Sequence, residues 1–275
     1  MNPAPQRQTQ TMIQVRNLVK SYGDFMAVKD ISFEVAEGEI FAFLGPNGAG
    51  KTTTIKILTT LLKPTSGAVE LDGLDPSVQH NEARKRFGIV FQDPSLDDEL
   101  TAYENMDFHG VLYHVPRKVR AERIENLLKL FELWDRRNDP VKQFSGGMKR
   151  RLEIARGLLH TPKIIFLDEP TLGLDPQTRN QLWTHVKKLN EEERVTVFLT
   201  THYMEEAERV AHRIAIIDHG KIVATGTAAE LKAQTNAETL EQAFLALTGT
   251  TIRQEEAGAL DQMRSMARMF RGNRR

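Results

Sequence analysis

The segment GPNGAGKTT, residues 45–53, constrains the fold of this chain more than any other. It fits the pattern G-x-x-x-x-G-K-[ST], in which glycines let the backbone curl around a phosphate with its N–H groups pointing inward. Apolar residues before it predict a strand over Ile40–Leu44, and the residues after it predict a helix over 50–62 that ends before Pro64. This order predicts a phosphate-binding loop; the alternative is a glycine-rich turn that holds no ligand.

Lys51 and Thr52 favour a bound nucleotide over an empty turn. The lysine supplies a positive charge to the β- and γ-phosphates, and the threonine offers its hydroxyl to Mg²⁺. A carboxylate for the metal follows at Asp168, at the carboxyl end of the apolar segment KIIFLD, where open parallel sheets bind ligands. Glu169 comes next, and we predict that it is the general base for the attacking water. The alternative for this pair is a solvated acidic strand end.

Apolar segments alternate with helical segments through the second half of the chain. Strands are predicted over 163–168, 195–201 and 213–218, with helices over 176–193 and 203–210 between them. Strands that are apolar throughout and alternate with helices indicate a parallel sheet covered on both faces. Further predictions are strands over 12–44, 67–72 and 87–91, helical periodicity over 100–134 with Pro116 as a helix start, a closing hairpin after 213–218, and two short helices over 227–248.

Composition excludes several classes of protein. Lys and Arg together number 37, as do Asp and Glu, so the chain lacks the excess positive charge of a general nucleic-acid binder, and no nucleic-acid partner is expected. Absence of cysteine excludes disulfides and thiolate metal sites. No window approaches the roughly 20 apolar residues of a transmembrane helix, and the polar N-terminus is no secretory signal. We therefore expect a cytoplasmic protein that meets membranes through a partner or its surface.

Together these segments resemble the nucleotide-binding subunit of ABC transporters over about 12–235. The resemblance implies an α/β fold: a P-loop NTPase with a mainly parallel sheet core, an antiparallel β subdomain and an inserted helical subdomain, about 95–160, that carries the signature motif. It also implies an ATPase that requires ATP and Mg²⁺. The nucleotide-binding residues that match the phosphate loop are Gly45, Pro46, Asn47, Gly48, Ala49, Gly50, Lys51, Thr52 and Thr53.

The resemblance assigns roles to residues outside the phosphate loop. Tyr22 matches the aromatic platform for adenine, and Gln92 matches the glutamine that touches Mg²⁺ and the attacking water. His202 matches the switch histidine that contacts the γ-phosphate, and Asp175 ends the loop that couples two sites in a dimer. The metal-binding residues implied are Thr52, Gln92 and Asp168, and the catalytic ones are Glu169, His202 and Gln92. Taken alone, Tyr22 and His202 would be ordinary structural residues.

The segment FSGGM, residues 144–148, matches the signature motif, which usually reads LSGGQ. Ser145, Gly146 and Gly147 are the residues that a phosphate would meet. Phe144 replaces leucine, a packing change, and Met148 replaces glutamine, which removes a polar contact near the nucleotide. Together with GLDPQTR and LEQAFLALTG, the form SGGMKRR resembles the branch of daunorubicin-type drug exporters, whose ATPase and membrane subunits are separate chains.

In that family, two subunits meet head to tail, and one ATP lies between the phosphate loop of one and the signature serine of the other. The resemblance therefore implies a homodimer at the cytoplasmic face of the membrane, bound to a separate permease that exports a drug-like or lipophilic substrate. The alternative is a soluble ATPase of ABC type that acts without a membrane partner, as in scaffold or assembly systems; a small-molecule P-loop kinase would lack the signature and His202. We expect a disordered lead over 1–11 and a helical extension over 236–275 whose basic tail resembles an amphipathic helix.

Overall fold

The structure is a computed structural model that describes residues 10–249. The strands, numbered in chain order, are β1 Thr11–Tyr22, β2 Phe25–Ala36, β3 Ile40–Leu44, β4 Ser66–Leu71, β5 Phe87–Val90, β6 Ile164–Asp168, β7 Thr196–Thr201, β8 Arg213–Asp218 and β9 Lys221–Gly226. The helices are α1 Lys51–Leu58, α2 His80–Arg86, α3 Ala102–Leu112, α4 Arg117–Leu130, α5 Gly146–Leu158, α6 Pro176–Glu193, α7 Met204–Val210, α8 Ala228–Thr235 and α9 Leu240–Thr248. Two short 3-10 helices, Trp134–Arg136 and Val141–Gln143, precede α5.

A six-stranded sheet forms the centre of the fold. Its strand order is β5-β6-β7-β3-β8-β9, and every neighbouring pair is parallel except β8 with β9, which form the predicted hairpin. The residues of β3, β6 and β7 are fully buried, as expected for strands that are covered on both faces. The prediction of an α/β fold with a mainly parallel core is therefore confirmed. The carboxyl ends of five parallel strands lie along one edge of this sheet.

A second, antiparallel sheet of order β2-β1-β4 packs on one face of the first. Phe33 of this sheet stacks against Phe41 of β3 and Phe198 of β7, with ring centroids 5.6 and 5.8 Å apart. Buried residues of both sheets and of α1 share one apolar cluster. Lys29 N–H of β2 donates to the carbonyl of Gly220 in the turn between β8 and β9 at 2.7 Å, and Gly220 N–H donates to the carbonyl of Ala49 at 2.9 Å. The antiparallel sheet is therefore linked through this turn to the loop that follows β3.

Helices cover the opposite face of the central sheet. A second apolar cluster joins α3, α4, α5 and α6 to strands β3, β6 and β7, and Trp183 and Phe131 are its largest fully buried side chains. Phe144, which replaces the usual leucine of the signature motif, is buried in this cluster. This burial agrees with the interpretation that the replacement changes packing. The signature helix α5 is therefore packed on the central sheet rather than extended into solvent.

Most predicted elements are present within a few residues of the expected bounds. The helical periodicity over 100–134 is two helices: α3 begins at a capping box of Thr101 and Glu104, and α4 follows Pro116. The short helix α2 was not predicted. The strand β1 begins at Thr11, which pairs with Ala36, so the predicted disordered lead does not include residue 11. Residues 1–9 of that lead, and the basic tail after residue 249, lie outside the described residues.

Candidate active site

The strand order brings most of the predicted site residues to one edge of the central sheet. The phosphate loop leaves β3, Gln92 follows β5, Asp168 ends β6, and His202 follows β7. All four strands run parallel, so their carboxyl ends meet at one edge. The sequence predicted a ligand there because ligands of open α/β sheets bind outside these ends.

The phosphate loop ends at the first turn of α1. Gly50 is the N-cap, and its φ of 109° lies in the left-handed region that favours glycine. A Cβ at position 50 would come within 2.6 Å of the carbonyl oxygen of Ala27 in β2. Without a side-chain acceptor at the N-cap, the first N–H groups of α1 are available to an anion. Lys51 is only 6% exposed, and its Nζ donates to the carbonyls of Gly45 at 2.7 Å and Pro46 at 3.3 Å.

Two hydroxyl groups surround the carboxylate of Asp168. Thr200 Oγ1 donates to Asp168 Oδ1 at 2.6 Å, and Thr52 Oγ1 lies 3.5 Å from the same oxygen. Burial raises the pKa of Asp168, while the hydrogen bonds from Thr200 and Thr52 act in the opposite direction. Thr52 and Asp168, two of the three metal-binding residues predicted from separate motifs, are therefore adjacent in the structure.

Glu169 lies between two groups that stabilise its charge. Its Oε1 is 3.2 Å from Lys51 Nζ, and its Oε2 is 2.8 Å from His202 Nδ1. Burial alone would raise the pKa of Glu169, but the hydrogen bond from His202 and the charge of Lys51 outweigh it, so this pKa lies below its usual value. The two adjacent carboxylates thus have opposite pKa shifts. Glu169 is held ionised, which is the state a general base needs.

Gln92 and Tyr22 lie at the margins of this cluster. Gln92 is exposed in the loop after β5, whose residue Val90 pairs with Leu167 of β6, next to Asp168. Tyr22 ends β1 and is 48% exposed, with the Lys20 ammonium 5.0 Å from its ring centroid. An exposed ring is available for stacking on a base, so the placement of Tyr22 is compatible with its predicted role.

The signature residues lie at the start of α5, where Ser145 and Gly146 are exposed. Ser145 is the exposed N-cap of α5, and its Oγ accepts a hydrogen bond from Met148 N–H at 3.2 Å. Gly146 is exposed, and a Cβ there would meet no other atom within 4 Å. Gly147 is buried, and a Cβ there would lie far inside van der Waals contact with the methyl group of Thr178. The structure therefore gives Gly147 an intrachain packing role that the sequence did not predict.

Asp175 caps α6 next to this contact. Its carboxylate accepts from Thr178 N–H at 3.0 Å and from Thr178 Oγ1 at 2.6 Å, and these hydrogen bonds lower the pKa of Asp175. Among residues 10–249, no hydrogen bond or ion pair joins Ser145, Gly146 or Asp175 directly to the phosphate loop. One chain therefore holds two separate groups of predicted nucleotide-binding residues.

Two residues in contact with the site were missed at the sequence level. Thr200 Oγ1 binds Asp168 and also accepts from Glu169 N–H at 3.1 Å. The sequence could have indicated Thr200, because the segment VTVFLTT places a hydroxyl residue at the end of a buried strand. Arg150 of α5 donates to the carbonyls of Asp168 and Glu169. No pattern in the sequence distinguishes it from the neighbouring Arg151.

Comparison with known proteins agrees with this geometry. A family model described as ABC transporter matches residues 28–172, a span that holds the phosphate loop, the signature segment and the pair Asp168 and Glu169. This chain belongs to the ABC transporter family. It is an ATP-hydrolysing subunit, and the resemblance inferred from its motifs is confirmed.

The relatives and solved structures extend over most of the chain. A daunorubicin resistance ATP-binding protein of Streptomyces coeruleorubidus is 39% identical over 277 residues, covering 95% of this chain and 87% of the relative. A linearmycin resistance ATP-binding protein of Bacillus subtilis is 42% identical over 231 residues, covering 84% and 74%. The structure of an ATP-binding subunit of an ABC transporter matches with a TM-score of 0.79 at 30% identity, covering 87% of this chain and all of that one.

A dimeric structure is also similar. It is an ATP-binding cassette in a post-hydrolysis state with ADP and Pi bound, and it matches with a TM-score of 0.70 at 33% identity, covering 78% of this chain and 98% of that one. That neighbour is thus a dimer with nucleotide bound. In residues 10–249, no helix is both long enough and apolar enough to span a bilayer.

Proposed function

We propose that this chain is the ATPase subunit of an exporter and that two copies bind two ATP molecules between them. In each site, the phosphate loop and Glu169 come from one copy, and Ser145 with the start of α5 comes from the other. The observation that carries this proposal is the separation of the two groups in one chain: Lys51 and His202 converge on Glu169, while Ser145 and Gly146 face solvent.

ATP binding would use the backbone and side chains around α1. The N–H groups of the loop and of the first helical turn point toward the bound phosphates, and Lys51 exchanges its carbonyl acceptors for phosphate oxygens. Tyr22 stacks on the adenine ring. From the partner copy, the N-terminus of α5 approaches the γ-phosphate with the Ser145 hydroxyl, whose oxygen already accepts from Met148 but whose proton is free to be donated.

The donor set at the sheet edge fits Mg²⁺. Mg²⁺ prefers oxygen ligands and is commonly held by one or two protein groups together with phosphates and water. Thr52 and Asp168 supply adjacent oxygens, and the backbone places Gln92 on the neighbouring strand end. Bound Mg²⁺ would neutralise negative charge that develops on the phosphates. Thr52, Asp168 and Gln92 are the residues proposed to hold it.

Glu169 and His202 would carry out the chemical step. Glu169 is ionised and accepts a proton from the attacking water, and His202, whose Nδ1 faces Glu169, orients this carboxylate and contacts the γ-phosphate. Hydrolysis removes a phosphate that both copies contact, so the dimer opens. Asp175, at the start of α6, lies on the segment proposed to transmit this change between the two sites.

The separate permease would receive this movement through the helical segment at about 95–140. Relatives named for daunorubicin and linearmycin resistance support a drug-like or lipophilic cargo moved out of the cell. The chain would then lie peripherally at the cytoplasmic face of the membrane, where ATP is available. The cargo is recognised by the permease and not by this chain.

Substitution of Glu169 by glutamine tests the proposal. Glutamine keeps the shape of the side chain but cannot take a proton, so turnover falls by about 10²–10⁴-fold while ATP still binds. The variant should form an ATP-dependent dimer, measurable by gel filtration with light scattering. Glu192→Gln, on the exposed surface of α6, is the matched control and should leave the rate and the dimer equilibrium unchanged. Hydrolysis by Glu169→Gln at the wild-type rate would contradict the role of Glu169, and a monomer in saturating ATP would contradict the dimer.

A further inference from the structure

Arg150 occupies an unusual position in the signature helix. It lies two residues after the signature segment and is only 7% exposed. Its guanidinium donates to three consecutive backbone carbonyls, those of Asp168 at 3.1 Å, Glu169 at 3.0 Å and Pro170 at 2.7 Å. One side chain of α5 is thus bonded to the backbone on both sides of the proposed general base.

These carbonyls converge because the chain turns sharply at Glu169. Glu169 has a φ of 48°, in the left-handed region that a residue with a side chain adopts at a cost. Such a conformation persists only when the surrounding structure supports it. The guanidinium supplies several donors in a fixed fork, which suits a group of carbonyls pointing to one place. Arg150 therefore stabilises the turn that directs the Glu169 carboxylate toward Lys51 and His202.

The same side chain contacts the loop that carries Gln92. Arg150 donates to the carbonyl of Phe91, the residue directly before Gln92. Its ion-pair partner Glu153, 3.1 Å away, accepts from Ser95 N–H at 2.7 Å in the same loop. Arg150 and Glu153 therefore join α5 to two segments at once, the loop after β5 and the turn after β6. Both segments carry residues proposed to act on the γ-phosphate side of ATP.

We propose that Arg150 is a positioning residue that couples the two ATP sites of the dimer. This inference rests on the proposed function, in which Ser145 of one copy contacts the ATP held by the other copy. Ser145 begins the helix that carries Arg150, and Arg150 holds the backbone of Glu169 in its own chain. Closure of α5 onto the partner's ATP thus changes the geometry of the general base that acts on the chain's own ATP. Occupation of one site favours hydrolysis in the other.

The neighbouring Arg151 provides a matched control. Arg151 lies on the same helix and is also partly buried, but it donates to the carbonyl of Phe131 at 3.1 Å and to Glu132 at 3.3 Å. Both partners follow α4, away from the turn at Glu169. Loss of Arg151 therefore removes a cation and two hydrogen bonds from α5 without touching the backbone of the general base.

The test measures ATP hydrolysis against ATP concentration for wild type, Arg150→Gln, Arg150→Lys and Arg151→Gln. Coupled sites give the wild type a Hill coefficient above one. Arg150→Gln should lower kcat by about 10–10²-fold, because small misplacement of a catalytic group costs rates of this order, and should reduce the Hill coefficient to one. Affinity of the isolated subunit for a fluorescent ATP analogue should stay unchanged, since the phosphate loop is intact. The kcat and the Hill coefficient of Arg150→Lys should lie between those of the wild type and Arg150→Gln, since an ammonium keeps the charge but lacks the several donors of the guanidinium.

Three results would overturn the inference. The first is a Hill coefficient of one in the wild type, and the second is a wild-type kcat and Hill coefficient in both Arg150 variants. The third is an equal loss in Arg151→Gln, which would reduce the effect to general disturbance of α5. If Arg150→Gln does not fold, Arg150→Lys carries the test alone. Dimerisation of Glu169→Gln in ATP is measured in parallel. Absence of this dimer contradicts the proposed function. If the dimer forms, the kinetics of the Arg150 variants test the role of Arg150 by themselves.

Discussion

Substitution of Gly147 by alanine tests the intrachain role that the structure gives to the second signature glycine. A Cβ at this position meets the methyl group of Thr178 at the start of α6. Thr178 cannot rotate its methyl group away freely, because its Oγ1 is bonded to Asp175 at 2.6 Å. The added methyl group therefore either displaces α5 from α6 or breaks the cap of α6.

The expected cost follows from these two alternatives. Overpacking by one methyl group costs about 1–3 kcal/mol, and loss of an N-cap hydrogen bond costs about 1 kcal/mol. Alanine also favours helix over glycine by up to about 1 kcal/mol, which offsets part of this cost. Gly146→Ala removes that ambiguity, because position 146 has the same helical gain but open space around it. The difference between the two alanine variants should be about 1–3 kcal/mol.

Thermal and urea unfolding of both variants measure this difference. For a chain of this size, about 1 kcal/mol corresponds to about 2–4 °C in Tm. The double substitution Gly147→Ala with Thr178→Ser removes the clashing methyl group and keeps the hydroxyl that binds Asp175, so it should recover most of the lost stability. Equal stability of Gly146→Ala and Gly147→Ala, or no recovery in the double variant, would refute the packing role of Gly147.

Two further predictions concern Tyr22 and His109. Tyr22→Ala should raise the KM for ATP by an amount equivalent to about 1–3 kcal/mol with little change in kcat, since the exposed ring is proposed to stack on adenine; unchanged ATP affinity would contradict this. The pKa of His109 is about 3 because the side chain is buried and lies near the charge of Arg156. In the unfolded chain, the pKa of this histidine is about 6.5, so below that pH the unfolded chain binds a proton that the folded protein does not. The free energy of unfolding therefore falls by about 1.4 kcal/mol on account of this group between about pH 7.5 and about pH 5.5. His109→Gln should remove that part of the pH dependence, which urea unfolding measures. An unchanged pH dependence would show that His109 is not the group responsible.

The strands and the phosphate loop were predictable because strong local signals coincide there. The burial of β3, β6 and β7 on both faces appears in the sequence as unbroken apolar runs, and the motif of residues 45–53 places a strand before it and a helix after it. The adjacency of Thr52 and Asp168 was predictable too, since parallel strands end at one edge. The helix α2 was missed because its segment HNEARKR buries only Ala83 and so has no apolar periodicity.

Contacts between distant segments could not be predicted from local patterns. Nothing in the sequence indicates that Arg150 is buried under the turn at Glu169 while Arg151 lies toward α4, because both belong to one run of basic residues. The same holds for Gly147 and Thr178, which lie in different helices. The identities of the motif residues were predictable, but the bonds that hold them in place depend on how α5 packs against the central sheet.

Mixing two inactive variants tests the central claim, that each ATP lies between two copies, most directly. Lys51→Ala removes the phosphate-loop charge, and Ser145→Arg blocks the signature surface, so each variant alone should be inactive. A mixed dimer places both defects in one site and leaves the other site intact. Random pairing in equal amounts should therefore restore activity that neither variant has alone, up to about a quarter of the wild-type ATPase rate, reduced by whatever the coupling through Arg150 contributes to the rate of the intact site. A mixture that remains as inactive as its components would contradict the shared site.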